Sequence, residues 1–291
     1  MHSSVSMLAA VGIISIATAA LAHEFWLEAP RFRLQPGDTV YVHTFVGENF
    51  HGEPWTTKAA KIHRLVRFGP TPADTTNLTP KDFAETDSFR TGFAFAQPGT
   101  HVVLLQSTSS FIELPAEKFT AYLREEGLDY ALKLRQENEE TAKPGRETYS
   151  RCAKTLVQVG DPATVPLAAD SACRHAYGLP LELVPEQNPY RLAADKALTV
   201  RVLRNGKPAF GAAVQVWQRQ PGGLPTIHYT TRANQSGRIL LRLSGPGPYL
   251  LSTVDMRPAP ARLRERADWQ SVWASLTFAG PPAAVRVPTK H

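Results

Sequence analysis

Sulfur and charge are scarce in this chain. Its 291 residues hold 2 cysteines and 3 methionines, and only 20% are Asp, Glu, Lys or Arg. Two thiols exclude a disulfide-dense scaffold and any four-thiolate zinc or iron–sulfur centre. No apolar run reaches the ~20 residues that a helix needs to cross a bilayer. Also missing are a Gly-x-Ser-x-Gly elbow, a His-Glu-x-x-His pair, a phosphate loop and a dinucleotide fingerprint. With no poised nucleophile to name, the reading is non-enzymatic, an unrecognised envelope hydrolase being the residual alternative. The formal charge of +6 forms no basic stripe. Arg257, Arg262, Arg264 and Arg266 cluster, but Glu265 and Asp268 dilute them, which argues against nucleic acid as a partner.

What is present is a core-forming composition, 43% apolar, with 24 prolines that point to short strands and turns. Met1 to Ala22 carry no acidic or basic side chain except His2, and Leu8 to Leu21 is apolar or small. The stretch ends in Ala20-Leu21-Ala22, the small-x-small pattern that signal peptidase cuts after. The expectation is a signal peptide over 1–22 and a periplasmic protein with no transmembrane segment once processed.

Cleavage there would make His23 the N-terminus. A terminal histidine offers its amine and an imidazole nitrogen as a chelate, a donor set that suits Cu, Ni and Zn. A second histidine from the fold would complete a nitrogen-rich site. His43, on an expected strand, and His51, in a turn-rich loop, are the candidates, so the expected metal residues are His23, His43 and His51. For each of the latter two an ordinary packed or solvated imidazole is the competing reading. His63, His101 and His228 read as ordinary strand residues, and Glu125-Glu126 as a solvated helix face. Export also bears on Cys152 and Cys173, which stand 21 positions apart. That spacing is wrong for Cys-x-x-Cys chemistry, and a single disulfide is expected in an oxidising compartment. A Cys/His site with His175 is the weaker alternative.

From Pro36 onward, turns and alternating runs indicate β-structure. Strands are expected at Thr39–Val46, Lys61–Phe68, Ser88–Phe95, Thr100–Ser107 and Lys154–Gly160. Phe119, Tyr122 and Leu123 recur at i, i+3 and i+4, so a helical hairpin is expected near 115–141, interrupted at Gly127. Further strands are expected at Leu198–Leu203, Ala213–Arg219, Thr226–Arg232, Arg238–Leu243, Tyr249–Asp255 and Trp273–Phe278. The fold class predicted is mainly β: two antiparallel β-sandwich domains, the first with a helical hairpin insert. The divisions are 23–160, a linker over 161–179, a second sandwich over 180–280, and a tail over 281–291.

Several blocks carry a family resemblance. They are His23-Glu24-Phe25-Trp26-Leu27-Glu28, then Gly47-Glu48-Asn49-Phe50 with Gly52-Glu53-Pro54. Phe111-Ile112-Glu113-Leu114-Pro115, Glu117-Lys118-Phe119 and Tyr122 to Asp129 come next. Gly145-Arg146-Glu147, Tyr149 to Lys154 and Trp273 to Phe278 complete the set. The chain resembles the bacterial periplasmic domain-of-unknown-function family labelled a cobalt/nickel transport periplasmic component (NikM-like). Its second half is similar to a transthyretin-like or carboxypeptidase-regulatory-like sandwich, through Gly206-Lys207-Pro208 and Gly237-Arg238. Asp255 stands where relatives commonly show a histidine. The resemblance implies metal binding or delivery in divalent-metal handling, with a Ni, Co or Cu ion and a membrane transporter or outer-membrane receptor as partners. The alternative is a non-enzymatic adhesion or scaffolding module that presents loops to an envelope protein or a glycan.

Overall fold

The computed structural model describes residues 24–56, 58–79 and 90–282. His23, the expected signal peptide over 1–22 and most of the expected tail lie outside the described residues.

In chain order the first strands are β1 (Glu24–Glu28), β2 (Arg33–Leu34), β3 (Asp38–Glu48), β4 (His51–Pro54), β5 (Ile62–Phe68) and β6 (Thr75–Leu78). Next come β7 (Arg90–Phe95), β8 (Gly99–Ser107), β9 (Ser110–Leu114), helices α1 (Ala116–Glu125) and α2 (Asp129–Glu137), and β10 (Gly145–Val159). The second half supplies β11 (Leu181–Pro185), β12 (Ala197–Arg204), β13 (Lys207–Pro208) and β14 (Ala213–Gln218). It continues with β15 (Ile227–Arg232), β16 (Arg238–Arg242), β17 (Pro248–Pro258) and β18 (Trp269–Ala279). The protein is mainly β, and no helix among the described residues is long and apolar enough to cross a membrane.

Three sheets form. A first runs β1-β3-β4 with β7 also paired to β3, along Asp38 to His43, and a third runs β11-β12-β13 with β16 on β12. Between them lies a sheet of order β15-β14-β17-β18-β10-β8-β5-β6, with β2 and β9 also paired to β10. Residues from both halves of the chain share this large sheet. β10 pairs in parallel with β18 from Glu147 opposite Trp269 to Thr155 opposite Thr277. Such a pair needs a long crossover, and the intervening strands β11 to β17 provide it.

Side-chain alternation explains the layering. On β8, Val102 and Leu104 face the third sheet, packing with Leu181, Leu183, Val200 and Val202. Val103 and Leu105 face the first sheet, packing with Phe25, Val40, Val42 and Phe93. Strands buried on both faces read as continuous apolar runs, as Val102 to Leu105 do. The helices cover a third region, where Phe119, Tyr122 and Leu123 pack on Val254, Met256, Trp269 and Trp273.

Two tight turns shape one end of the molecule. Gly127, with φ +62°, ends α1: its N–H donates to the Arg124 carbonyl, and the Leu128 N–H reaches back to the Leu123 carbonyl at 2.8 Å. This is a Schellman cap, which stops the helix and turns the chain sharply. The β3–β4 hairpin turns through Asn49 and Phe50, both at positive φ (54° and 61°), the requirement of a tight two-residue loop. A bulky Phe is a costly residue there. Burial of its ring to 1% exposure beside Trp26, Trp217 and Leu250, with the Arg219 guanidinium 4.0 Å from the ring centre, offsets that cost.

Cys152 and Cys173 form no disulfide, which corrects the expected bridge. Both sit in the apolar core between the large and third sheets, and burial pushes the Cys152 thiol pKa up to about 12. A thiol so reluctant to ionise is a poor nucleophile for disulfide exchange. The segment expected as a linker contributes Ala172, Cys173 and Leu179 to that same core. His175 is exposed and bonded through Nδ1 to the Ser171 carbonyl at 2.8 Å, so it does not share the buried setting of Cys173.

Candidate functional site

A cleft of about 500 Å³ opens where the head of β1, the β3–β4 hairpin, α1 and the β14–β15 ribbon meet. Its acidic wall carries Glu24, Glu48, Glu125 and Glu126, and its floor carries Gln215, Trp217 and His228.

Strand alternation places the floor. Val214 and Val216 enter the core against the third sheet, so Gln215 and Trp217 project from the opposite face. Antiparallel register sets Thr230 across from Gln215 and His228 across from Trp217. The His228 ring stacks on the Trp217 indole, with centroids 4.8 Å apart and planes at 12°. Above them, the cap at Gly127 carries Glu126 onto β14. The Gln215 amide Nε2–H donates to Glu126 Oε2 at 3.1 Å and approaches the Glu125 carbonyl at 3.4 Å. His228 Nε2 lies 2.9 Å from Gln215 Oε1.

The electrostatics are those of carboxylates withheld from water. Glu24 is 7% exposed, and its Oε2 has no hydrogen-bond partner. Burial lifts its pKa to about 7, aided by the charges of Glu48 and Glu125. Burial lifts Glu126 further, to about 8, with Glu24 and Glu125 adding to the effect against the Gln215 hydrogen bond. Partial burial holds the His228 imidazole below its ordinary pKa, which favours the neutral ring. The Trp217 indole N–H, 1% exposed, has no acceptor. Beneath the cleft Tyr122 donates its hydroxyl to Glu147 at 3.3 Å, and Ser271 donates to the same oxygen. Burial raises the Glu147 pKa to about 7 as well.

Two of the sequence candidates, His43 and His51, fall elsewhere. His43 stands opposite Glu28, about 13 Å along the β1–β3 ladder from Glu24 at ~3.3 Å per residue, with its ring against Phe45. His51 is exposed and donates Nδ1–H to the Asn49 carbonyl at 2.9 Å. Neither lines the cleft. Among the described residues no three His, Cys, Asp or Glu side chains converge closely enough to hold a metal ion. The described residues of the cleft therefore do not by themselves fit a transition metal. Glu126 departs from the expected solvated helix face, because the turn after it presses its carboxyl onto Gln215. Asp255, at which this sequence departs from the resembled pattern, is held by Arg204 at 2.7 Å and Arg257 at 3.0 Å.

A family model described as a domain of unknown function, DUF4198, matches residues 20–256. The chain belongs to the DUF4198 family. No curated protein sequence matches it. Solved structures align to this DUF4198 chain at low similarity. Escherichia coli alpha-2-macroglobulin activated by porcine elastase aligns over 90% of the chain and 20% of its own length, at 12% identity and a TM-score of 0.21. The three N-terminal domains of the bacteriophage RB49 Hoc capsid protein align over 90% of the chain and 71% of their own, at 8% identity and a TM-score of 0.22. Latent PorU from Porphyromonas gingivalis gives 14% identity, 92% and 21% coverage, and a TM-score of 0.19. The chain spans about a fifth of the macroglobulin and PorU chains. Likeness at this level carries no argument about function.

Proposed function

We propose that this DUF4198 chain is an exported, periplasmic metal-binding and delivery protein for Ni, Co or Cu, working with an envelope transporter or receptor. The cobalt/nickel (NikM-like) resemblance and the transthyretin-like likeness of the second half belong to the same reading. The observation that carries it is Glu24. This residue is buried at the head of β1 with Oε2 unpartnered, in a cleft that also holds Glu126 and His228. Processing after Ala22 would leave the new amino terminus a single residue from that carboxyl. His23, the residue before Glu24 in sequence, would then offer two nitrogens, and a bound cation would offset the crowding of acidic groups.

The test is metal titration of protein that starts at His23, against a form with one alanine placed before His23. The expected result is one tightly bound Cu(II) or Ni(II) per chain and a loss of affinity of more than ~100-fold on extension, well beyond the effect of an outer-shell change. Equal affinity of the two forms would overturn the reading.

The adhesion or scaffolding reading draws on β15, the last strand of its sheet, where Ile227 and Tyr229 are exposed. An edge strand of this kind can accept a partner strand. Crosslinking in the envelope that recovers a partner through β15, with metal-free protein, would favour it.

A further inference from the structure

We infer that a second cleft, between the α1–α2 turn and the β12–β13 hairpin, binds a small organic anion: a phosphate or carboxylate group carried on a ring. Arg204, Lys207 and Arg257 hold the charge, and Tyr130 and Phe210 flank the ring. This goes beyond metal binding, since none of these five residues lines the acidic cleft.

The cleft encloses about 620 Å³, within the ~300–1,000 Å³ usual for small-molecule sites. Its cations are brought together by backbone geometry. The hairpin turns on Asn205 and Gly206, both at positive φ (48° and 75°), as a two-residue turn requires. That turn sets Arg204 directly opposite Lys207. Opposed side chains on antiparallel strands share one face, with Cβ atoms ~4.5–5.5 Å apart, and two like charges there repel. Arg257 reaches the same place from the end of β17. The Asp255 carboxylate pairs with Arg204 Nε at 2.7 Å and accepts from Arg257 Nη2 at 3.0 Å. Three cations thus gather around one carboxylate.

The other acids of the lining are engaged elsewhere. Asp129 pairs with Arg232 at 2.7 Å, and Glu126 accepts from Gln215 at 3.1 Å. Lys207 has no acidic partner among the described residues, and the Arg204 and Arg257 side chains are partly exposed. Each guanidinium keeps N–H groups that Asp255 does not take. A bound anion would offset this local excess of positive charge and accept from those donors.

A second, independent feature points to the body of the ligand. Phe210, two residues past β13, is 72% exposed on the lining of the cleft. Tyr130, in the first turn of α2, is also exposed, with the Arg257 guanidinium 5.4 Å from its ring centre. Two exposed aromatic side chains beside a cationic cluster suit a ligand that is ring-shaped at one end and anionic at the other.

The experiment titrates the full chain, free of metal, with phenyl phosphate and with benzoate, read by calorimetry and by NMR shifts. Saturable binding is expected at ~1 mM or below for at least one of them. The tighter of the two identifies the anionic group as phosphate or carboxylate. Shifts are expected at Lys207, Phe210 and Tyr130, and added salt should weaken the binding. Lys207→Glu should weaken it ~10-fold or more, and Phe210→Ala about 3-fold or more. The melting temperature of Lys207→Glu should not fall, because the change removes the like-charge opposition to Arg204. Phenol, a ring without charge, should not saturate, and inorganic phosphate, a charge without a ring, should bind more weakly than phenyl phosphate. No saturable binding of either ring-bearing anion, or binding unmoved by Lys207→Glu, would overturn the inference. Inorganic phosphate bound as tightly as phenyl phosphate would overturn the assignment of Phe210 and Tyr130.

Discussion

Glu126→Gln should change how stability depends on pH. Burial raises the Glu126 pKa from 4.5 to about 8 in the folded protein, while the unfolded chain titrates near the ordinary value. The folded state therefore holds this proton more tightly than the unfolded chain. The stability it confers is fully present below pH 4.5 and is lost as pH rises through about 8. At 1.36 kcal/mol per pH unit, the loss from pH 5 to pH 9 is about 4 kcal/mol. A glutamine keeps an acceptor for Gln215 Nε2–H and carries no proton to lose. The variant should match the parent within about 1 kcal/mol at pH 5 and exceed it by several at pH 9. In melting temperature the gap at pH 9 corresponds to roughly 10 °C for a chain of this size. Urea denaturation of metal-free protein at pH 5, 7 and 9 reads the difference directly. Parallel pH profiles for the two proteins would refute the description of Glu126 as a buried, withheld acid.

Other perturbations probe the packing of the fold. Lys154 and Glu182 form an ion pair at 2.8 Å with both side chains 2% exposed, and Glu182 also accepts from the Tyr177 N–H. Lys154→Met or Glu182→Gln alone should cost about 3–5 kcal/mol by urea denaturation, and the double variant less than the two summed; strict additivity would show that the pair is not coupled. At Gly145 a Cβ would lie 2.2 Å from Cγ of Phe119, which is fully buried. Gly145→Ala should therefore lose about 1–3 kcal/mol, and an unchanged melting temperature would mean that the α1 contact is loose. Thiol titration should find two reactive groups in unreduced, unfolded protein and slow labelling of the folded form; a bridged pair would contradict the buried thiols.

How much was legible depends on the range of the interactions. Phe119, Tyr122 and Leu123 share a helix face through spacing alone, and they are buried. On β12, Leu198, Val200 and Val202 alternate in sequence and lie fully buried in the core. The parallel pairing of β10 with β18 joins segments more than a hundred residues apart, and no local pattern encodes it. β10 also begins at Gly145, well before the strand expected from Lys154, because Arg146, Glu147 and Arg151 obscure its apolar alternation. The candidate site was visible as chemistry but not as an assembly. Glu24 and Glu126 are plain in the sequence, yet the burial of Glu126 depends on the cap at Gly127 and on a strand ninety residues later. His228 reads as an ordinary strand residue until hairpin register sets it on Trp217.

The proposed metal-binding function depends on an amino terminus that begins at His23. The most direct test is intact mass with elemental analysis of protein purified from the periplasm of an expressing cell grown with added nickel and copper. The prediction is a chain that begins at His23 and carries one equivalent of Ni, Co or Cu, with the metal lost when an alanine precedes His23. A chain that begins at His23 and remains metal-free under those conditions would contradict it.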